Sequence, residues 1–132
     1  MTLAVVRVVA LVLLALLLVI YGWLAWRSDP RLASAGILPK PVALFFDINP
    51  LARSFPAFLL LGLLGGAAVA GLGPRFAAVS FALCLLAPVL KDWAQIFTAT
   101  RHFHLGGTLL GVLGTLAGWG IAAWLARLLS SR

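Results

Sequence analysis

The sequence predicts an all-α integral membrane bundle of four transmembrane helices, and three observations support this prediction. Of 132 residues, 64% are hydrophobic and 10% are charged, whereas a soluble domain has roughly a quarter of its residues charged. The mean hydropathy of +1.14 leaves too few polar side chains to cover a surface in water. Long apolar segments follow one another, and the chain has room for about four or five crossings of about 20 residues. We therefore expect residues 1–132 to form a single transmembrane domain.

The first predicted span covers about residues 3–26 and is interrupted only by Arg7. It ends in aromatic residues, which favour the headgroup level of a bilayer, namely Tyr21, Trp23 and Trp26. A cleaved signal peptide is the alternative, because residues 33–35 read Ala-Ser-Ala. The apolar run over residues 8–25 is longer than the signal-peptide core of about 7–15 residues. We therefore favour a membrane span.

The connection after the first span is rich in proline and covers residues 28–53. Its prolines disfavour a continuous helix, and they are Pro30, Pro39, Pro41 and Pro50. Apolar residues persist among the prolines, and cations surround them, namely Arg27, Arg31, Lys40 and Arg53. This mixture favours a segment that lies along the membrane surface.

Three further spans follow this connection, at about residues 55–72, 76–90 and 105–128. The Gly-Pro-Arg sequence at residues 73–75 is so short that the second and third spans must be antiparallel neighbours. Residues 91–104 form a polar connection between the third and fourth spans. Four spans place both termini on the same side of the membrane.

The charges of the chain favour lipid as its partner. The net charge is +7, and the cations lie at the edges of apolar segments, where they meet lipid headgroups. They form no continuous basic patch, so we expect no binding of nucleic acid. Raw counts of cations favour the longer loops on the opposite side as cytoplasmic, whereas the density of cations near the span ends favours cytoplasmic termini, which we adopt. We expect an integral, multi-pass membrane protein.

Glycines form pairs at helical spacing that predict close helix packing. The pairs are Gly62 with Gly66, Gly107 with Gly111, and Gly114 with Gly118. Such faces allow neighbouring backbones to approach each other in lipid. The partner is either another span of this chain or a subunit of a larger membrane protein complex.

The few polar residues near the third span predict a polar site at the membrane boundary. Ser80, Cys84, Pro88 and Asp92 recur every four residues and therefore share one helix face. The site would consist of Asp92, Gln95 and Arg101. One interpretation is an ion pair that holds the loop against the bundle, and the other is a site that receives a headgroup or ligand.

The sequence favours a protein without catalytic residues, metal or cofactor. It has no nucleophile elbow, zinc-protease motif or phosphate-binding loop. His102 and His104 lie on a loop, with no cysteine or acidic cluster to complete a set of metal ligands. Since Cys84 is the only cysteine, an intramolecular disulfide is excluded.

Residues 91–101 resemble the signature of the VanZ-like family of small bacterial membrane proteins. Asp92, Gln95, Phe97 and Arg101 match that signature without a gap. The resemblance extends over about residues 50–118, with Gly114 and Gly118 at the positions of the family's glycines. The chain departs from the pattern where the family is acidic or polar, at Lys91, Gly107 and Gly111.

This resemblance implies a multi-helix envelope protein of the bacterial inner (cytoplasmic) membrane, with a polar site linked to lipid or to the response to glycopeptide antibiotics. Teicoplanin resistance gave the family its name. It does not imply a defined reaction. The alternative is a small accessory or assembly subunit that packs against a larger membrane protein complex. The retained polar residues favour the first function, and the altered ones favour the second.

Overall fold

The computed structural model describes residues 2–26, 31–97 and 104–131, and these residues form helices and turns without a strand. The helices are α1 (Leu3–Trp26), α2 (Leu32–Ala35), α3 (Lys40–Ile48), α4 (Ser54–Ala68), α5 (Pro74–Gln95) and α6 (Leu105–Ser130). The predicted all-α class is therefore confirmed.

Three of the helices in the described parts of the chain are long and apolar enough to cross a membrane. They are α1, over Leu3–Leu24, together with α5 and α6, which supports the prediction of a membrane protein. Helix α4 has 15 residues, a length of about 22 Å. It is apolar but shorter than a typical span.

Helix α4 ends at Ala68, four residues before the end of the second span predicted at residues 55–72. After Ala68 the backbone makes successive turns, and Gly71 and Gly73 adopt positive φ angles of 75° and 102°. Such angles are readily available to glycine and end a right-handed helix. The last residues of the apolar run therefore belong to the turn into α5.

Helix α5 is longer than the predicted third span at residues 76–90. It begins at Pro74, because proline is well suited to the first helical position. It continues through Pro88 to Gln95, so residues 91–95 are helical rather than part of a loop. Pro88 is fully buried and lies opposite Gly111, where an added Cβ would lie 2.7 Å from the Cβ of Pro88.

Helix α4 lies at the centre of the bundle and contacts α1, α5 and α6. It runs parallel to α6, since Gly114 faces Phe55 and Gly118 faces Leu59. The apolar core lies around α4 and consists of Leu17, Phe58, Leu61, Leu64 and Cys84. The most extensive helix contact in the described chain is the one between α4 and α6.

Two polar contacts attach α1 to α4, one near each end of α4. The hydroxyl of Tyr21 donates to the carbonyl of Ala57 at 2.5 Å. At the other end, Nε of Arg7 donates to the carbonyl of Ala70 at 2.6 Å. The cation that interrupts the first apolar segment thus satisfies a backbone acceptor just beyond the end of α4.

Helices α2 and α3 form a small hairpin in the proline-rich connection. The two helices are separated at Gly36, which has a φ of 68°, and Pro39 precedes the start of α3. The carboxylate of Asp47 accepts the backbone N–H groups of Leu32 at 2.7 Å and Ala33 at 3.0 Å. Asp47 therefore satisfies free donors at the start of α2 and fixes the two helices to each other.

Candidate functional site

The last turns of α5 carry a buried carboxylate that connects two helices. Asp92 is 2% exposed. One of its oxygens lies 3.0 Å from the Nζ of Lys91, and the other accepts a hydrogen bond from the hydroxyl of Thr108 in α6. A buried carboxylate is costly unless it is paired and hydrogen-bonded. The contacts with Lys91 and Thr108 meet that requirement and join the end of α5 to the start of α6.

Lys91 extends this cluster to the third helix of the site. Its Nζ lies 5.5 Å from the centroid of the Phe58 ring in α4, a distance at which a cation is attracted to an aromatic face. The side chain of Lys91 is 33% exposed, so part of it reaches the surface of the bundle. The polar site therefore lies where α4, α5 and α6 meet.

Small residues allow these helices to meet at the site. A Cβ added at Gly107 would lie 3.6 Å from the hydroxyl of Ser54, which is buried at the start of α4. Gly111 faces Pro88 of α5 on one side and the ring of Phe58 on the other. Gly111 thus provides space for both neighbouring helices beside Asp92, whereas a Cβ at residue 107 would make ordinary van der Waals contact.

The structure describes only part of the predicted polar site. Asp92 is buried as described, and Gln95 is half-buried one turn further along α5. Arg101 and His102 lie outside the described residues, so the pairing of Asp92 with Arg101 stays a prediction. His104 is exposed and occupies the N-cap position of α6.

Sequence reasoning missed two partners of Asp92, namely Lys91 and Thr108. Thr108 lies three residues before Gly111 and seven before Thr115, so it shares the packed face of α6. The spacing alone could therefore have indicated that Thr108 lies on this packed face. Lys91 offered no such signal, because a residue directly before Asp92 on a helix points in a different direction.

All of the predicted packing glycines are buried against helices of this chain. An added Cβ would overlap the carbonyl oxygen of Phe55 at Gly114 and that of Leu59 at Gly118. The approach is mutual, because Gly62 of α4 faces the carbonyl of Thr115 in α6 in the same way. Glycine Cα–H groups near carbonyl oxygens recur where helices pack this closely.

The polar residues along α5 are bound to backbone acceptors of α4. The hydroxyl of Ser80 donates to the carbonyl of Gly65 at 2.9 Å, and Sγ of Cys84 lies 3.9 Å from the carbonyl of Leu61. These contacts satisfy the polar groups within an apolar bundle. They attach α5 to α4, so the role of Ser80 and Cys84 in this arrangement is structural.

Two apolar grooves flank α1, and neither is lined by Asp92. A groove of about 480 Å³ lies between α1, α4 and α6. A groove of about 370 Å³ lies between α1, α4 and α5 and includes Ser80 and Cys84 in its lining. Their leucine, valine and alanine side chains suit lipid acyl chains better than a polar substrate.

Within residues 2–26, 31–97 and 104–131, no group of three or more side chains could hold a metal ion. Among the described residues, the site brings together the carboxylate of Asp92, the ammonium group of Lys91 and the hydroxyl of Thr108. The carboxylate and the hydroxyl are paired with each other, so the partly exposed side chain of Lys91 is the part of the site that can meet a polar group at the end of the bundle. In comparisons with protein-family models, curated proteins and solved structures, nothing matches this chain.

Proposed function

We propose that the chain is a non-catalytic, VanZ-like protein of the bacterial cytoplasmic membrane. In this proposal, the polar site at Asp92 alters how lipid or a glycopeptide antibiotic reaches the cell envelope. The single observation that supports it is the buried carboxylate of Asp92, held at 2% exposure beside the partly exposed side chain of Lys91. Ionisable groups at such positions in membrane proteins commonly serve a function.

The proposal includes four spans, in which α4 crosses the membrane in addition to α1, α5 and α6. The support is positional, because α4 is parallel to α6 and is contacted by α1, α5 and α6. Helices α2 and α3 then lie at the membrane surface, on the same side as the Asp92 site. Both termini lie on the opposite side.

This topology predicts the labelling of four reporter fusions. Fusions at the N-terminus, in the turn at residues 73–75 and at the C-terminus should report the same side of the membrane. A fusion within residues 36–39 should report the other side. Opposite labelling of the two termini would contradict a chain with four crossings.

The antibiotic role predicts a change in teicoplanin susceptibility. Expression of the chain in a susceptible bacterium should raise the minimum inhibitory concentration of teicoplanin. Asp92→Asn should abolish that rise, because the amide cannot attract Lys91 as a charge. Leu113→Ala, at an exposed position of α6, is the matched control and should retain the rise at equal protein level. Unchanged susceptibility with the unsubstituted chain would contradict the proposal.

One observation supports an accessory subunit as a second candidate function. Both carboxylate oxygens of Asp92 have partners in the chain itself, so the site is complete as a structural connection between α5 and α6. The predicted packing glycines are also buried internally, and a partner would therefore bind the outer helix faces. Extraction in a mild detergent followed by native mass measurement should then give partners at fixed stoichiometry. Recovery of the chain alone would contradict this second function.

A further inference from the structure

Helix α3 has an apolar face that points away from the rest of the described chain. Leu44 is 51% exposed, Phe45 55% and Ile48 77%. With Pro41 they follow the spacing i, i+3, i+4, i+7, which places them on one side of a helix. The opposite side carries Ala43, which is fully buried, and the half-buried Phe46 and Asp47. The outward face is therefore the more apolar of the two.

The hairpin that carries this face is preformed. The carboxylate of Asp47 in α3 accepts hydrogen bonds from two backbone N–H groups of α2. Because α3 is fixed to α2, it does not need to fold when it meets a surface.

The position of the hairpin in the chain restricts what this surface can be. It follows α1, one of the candidate spans, and residues 49–53 connect it to α4. Leu51 of this connection packs on the start of α6, within 3.7 Å of a Cβ added at Gly106. The hairpin is thus held at the end of the bundle where α4 and α6 begin.

The charge of the hairpin favours an anionic surface. Residues 31–53 contain the cations Arg31, Lys40 and Arg53 and the single acid Asp47, a net charge of 3 − 1 = +2. Asp47 directs its carboxylate to backbone donors. Lys40 is exposed at the first position of α3. Cations beside an apolar face are typical of helices that lie in the interface of a membrane with anionic lipids.

We propose that the α2–α3 hairpin docks on one leaflet of the bilayer, with Leu44, Phe45 and Ile48 inserted among the acyl chains and Lys40 at anionic headgroups. This inference rests on the proposed placement of α2 and α3 at the membrane surface and adds the inserted face and the lipid class. It is independent of any role in the antibiotic response.

Spin labels on single cysteines test the docking. In a Cys84→Ala background, Ile48→Cys and Phe45→Cys are labelled with a nitroxide in the full chain, reconstituted in phosphatidylglycerol vesicles. Both labels should show high collision with oxygen and low collision with an aqueous nickel chelate. Lys40→Cys is the matched control on the same helix and should show the reverse.

Two results would overturn the insertion of this face, and a third would overturn the choice of lipid class. Equal nickel accessibility at residues 40, 45 and 48 would show a hairpin in water. Strong immobilisation or spin–spin broadening at residue 48 would show a protein partner or a second copy on this face. Equal insertion in phosphatidylcholine and phosphatidylglycerol vesicles would remove the anionic-lipid part. Because the antibiotic test reads susceptibility, its failure would be separate from any of these results.

Discussion

Gly118→Ala is expected to lower the free energy of unfolding of the bundle by about 3 kcal/mol, at the upper end of the cost of overpacking. The added Cβ would overlap the carbonyl oxygen of Leu59 and would lie 2.7 Å from the backbone nitrogen of Leu63. Both are backbone atoms of α4, so no side chain can rotate to make room. Helices α4 and α6 would have to separate along their whole contact.

Gly120→Ala is the matched control, because it makes the same change on the same helix. A Cβ at Gly120 would meet nothing within 4 Å, so the substitution should be neutral or stabilising by up to about 1 kcal/mol. Unfolding in mixed micelles with increasing denaturing detergent compares the two variants with the unsubstituted chain. Equal stability of the two variants would show that the contact between α4 and α6 tolerates separation.

Asp92→Ala is expected to destabilise the bundle by about 2–3 kcal/mol. The change removes the acceptor of the Thr108 hydroxyl and the carboxylate beside Lys91, and hydrogen bonds to charged groups contribute about 1.5–3 kcal/mol. The loss should be smaller than the 3–5 kcal/mol for a fully buried ion pair, because Lys91 is partly exposed and can turn towards water.

Asp92→Asn distinguishes the contribution of the hydrogen bond from Thr108 from that of the charge beside Lys91. The amide oxygen can still accept from Thr108, so about half of the loss should be recovered. A double-mutant cycle of Asp92→Ala with Thr108→Val measures the interaction of those two residues directly. Additive losses in that cycle would show that they contribute independently. The same cycle with Arg101→Ala tests the predicted ion pair between Asp92 and Arg101.

Composition and spacing were enough to predict the class of the fold and much of its packing. A chain with so few charged residues cannot cover a water-facing surface, and this constraint does not depend on any detail of the structure. Glycines at intervals of three and four leave a groove on one helix face. The four-residue spacing from Ser80 to Asp92 placed this carboxylate on the face that the structure buries.

The ends of the helices were harder to predict, for physical reasons specific to each end. Hydropathy carries no information about the positive φ angles of Gly71 and Gly73, so the predicted second span extends beyond the end of α4. Pro88 lies two residues before the predicted end of the third span at residue 90. It is buried against Gly111 of α6, and the helix continues to Gln95.

The partners of Asp92 depend on how two helices dock, which local sequence does not encode. Thr108 reaches Asp92 only because the start of α6 lies against the end of α5. The ammonium of Lys91 is adjacent to Asp92 in sequence, but its contact with Phe58 requires α4 to lie beside α5. Pairwise spacing along the chain was therefore insufficient to define the polar site.

The short length of α4 has a consequence for the bilayer around the protein. Its 15 residues span about 22 Å, against a hydrocarbon core of about 30 Å. At one end of α4, the guanidinium of Arg7 binds the carbonyl of Ala70, and at the other lies the Asp92 cluster. If α4 crosses the membrane, these polar groups fall within the normal hydrocarbon thickness. Local thinning of the leaflets around the bundle would bring these groups to the headgroup level, so the mismatch at α4 would favour this protein in thin bilayers with short acyl chains.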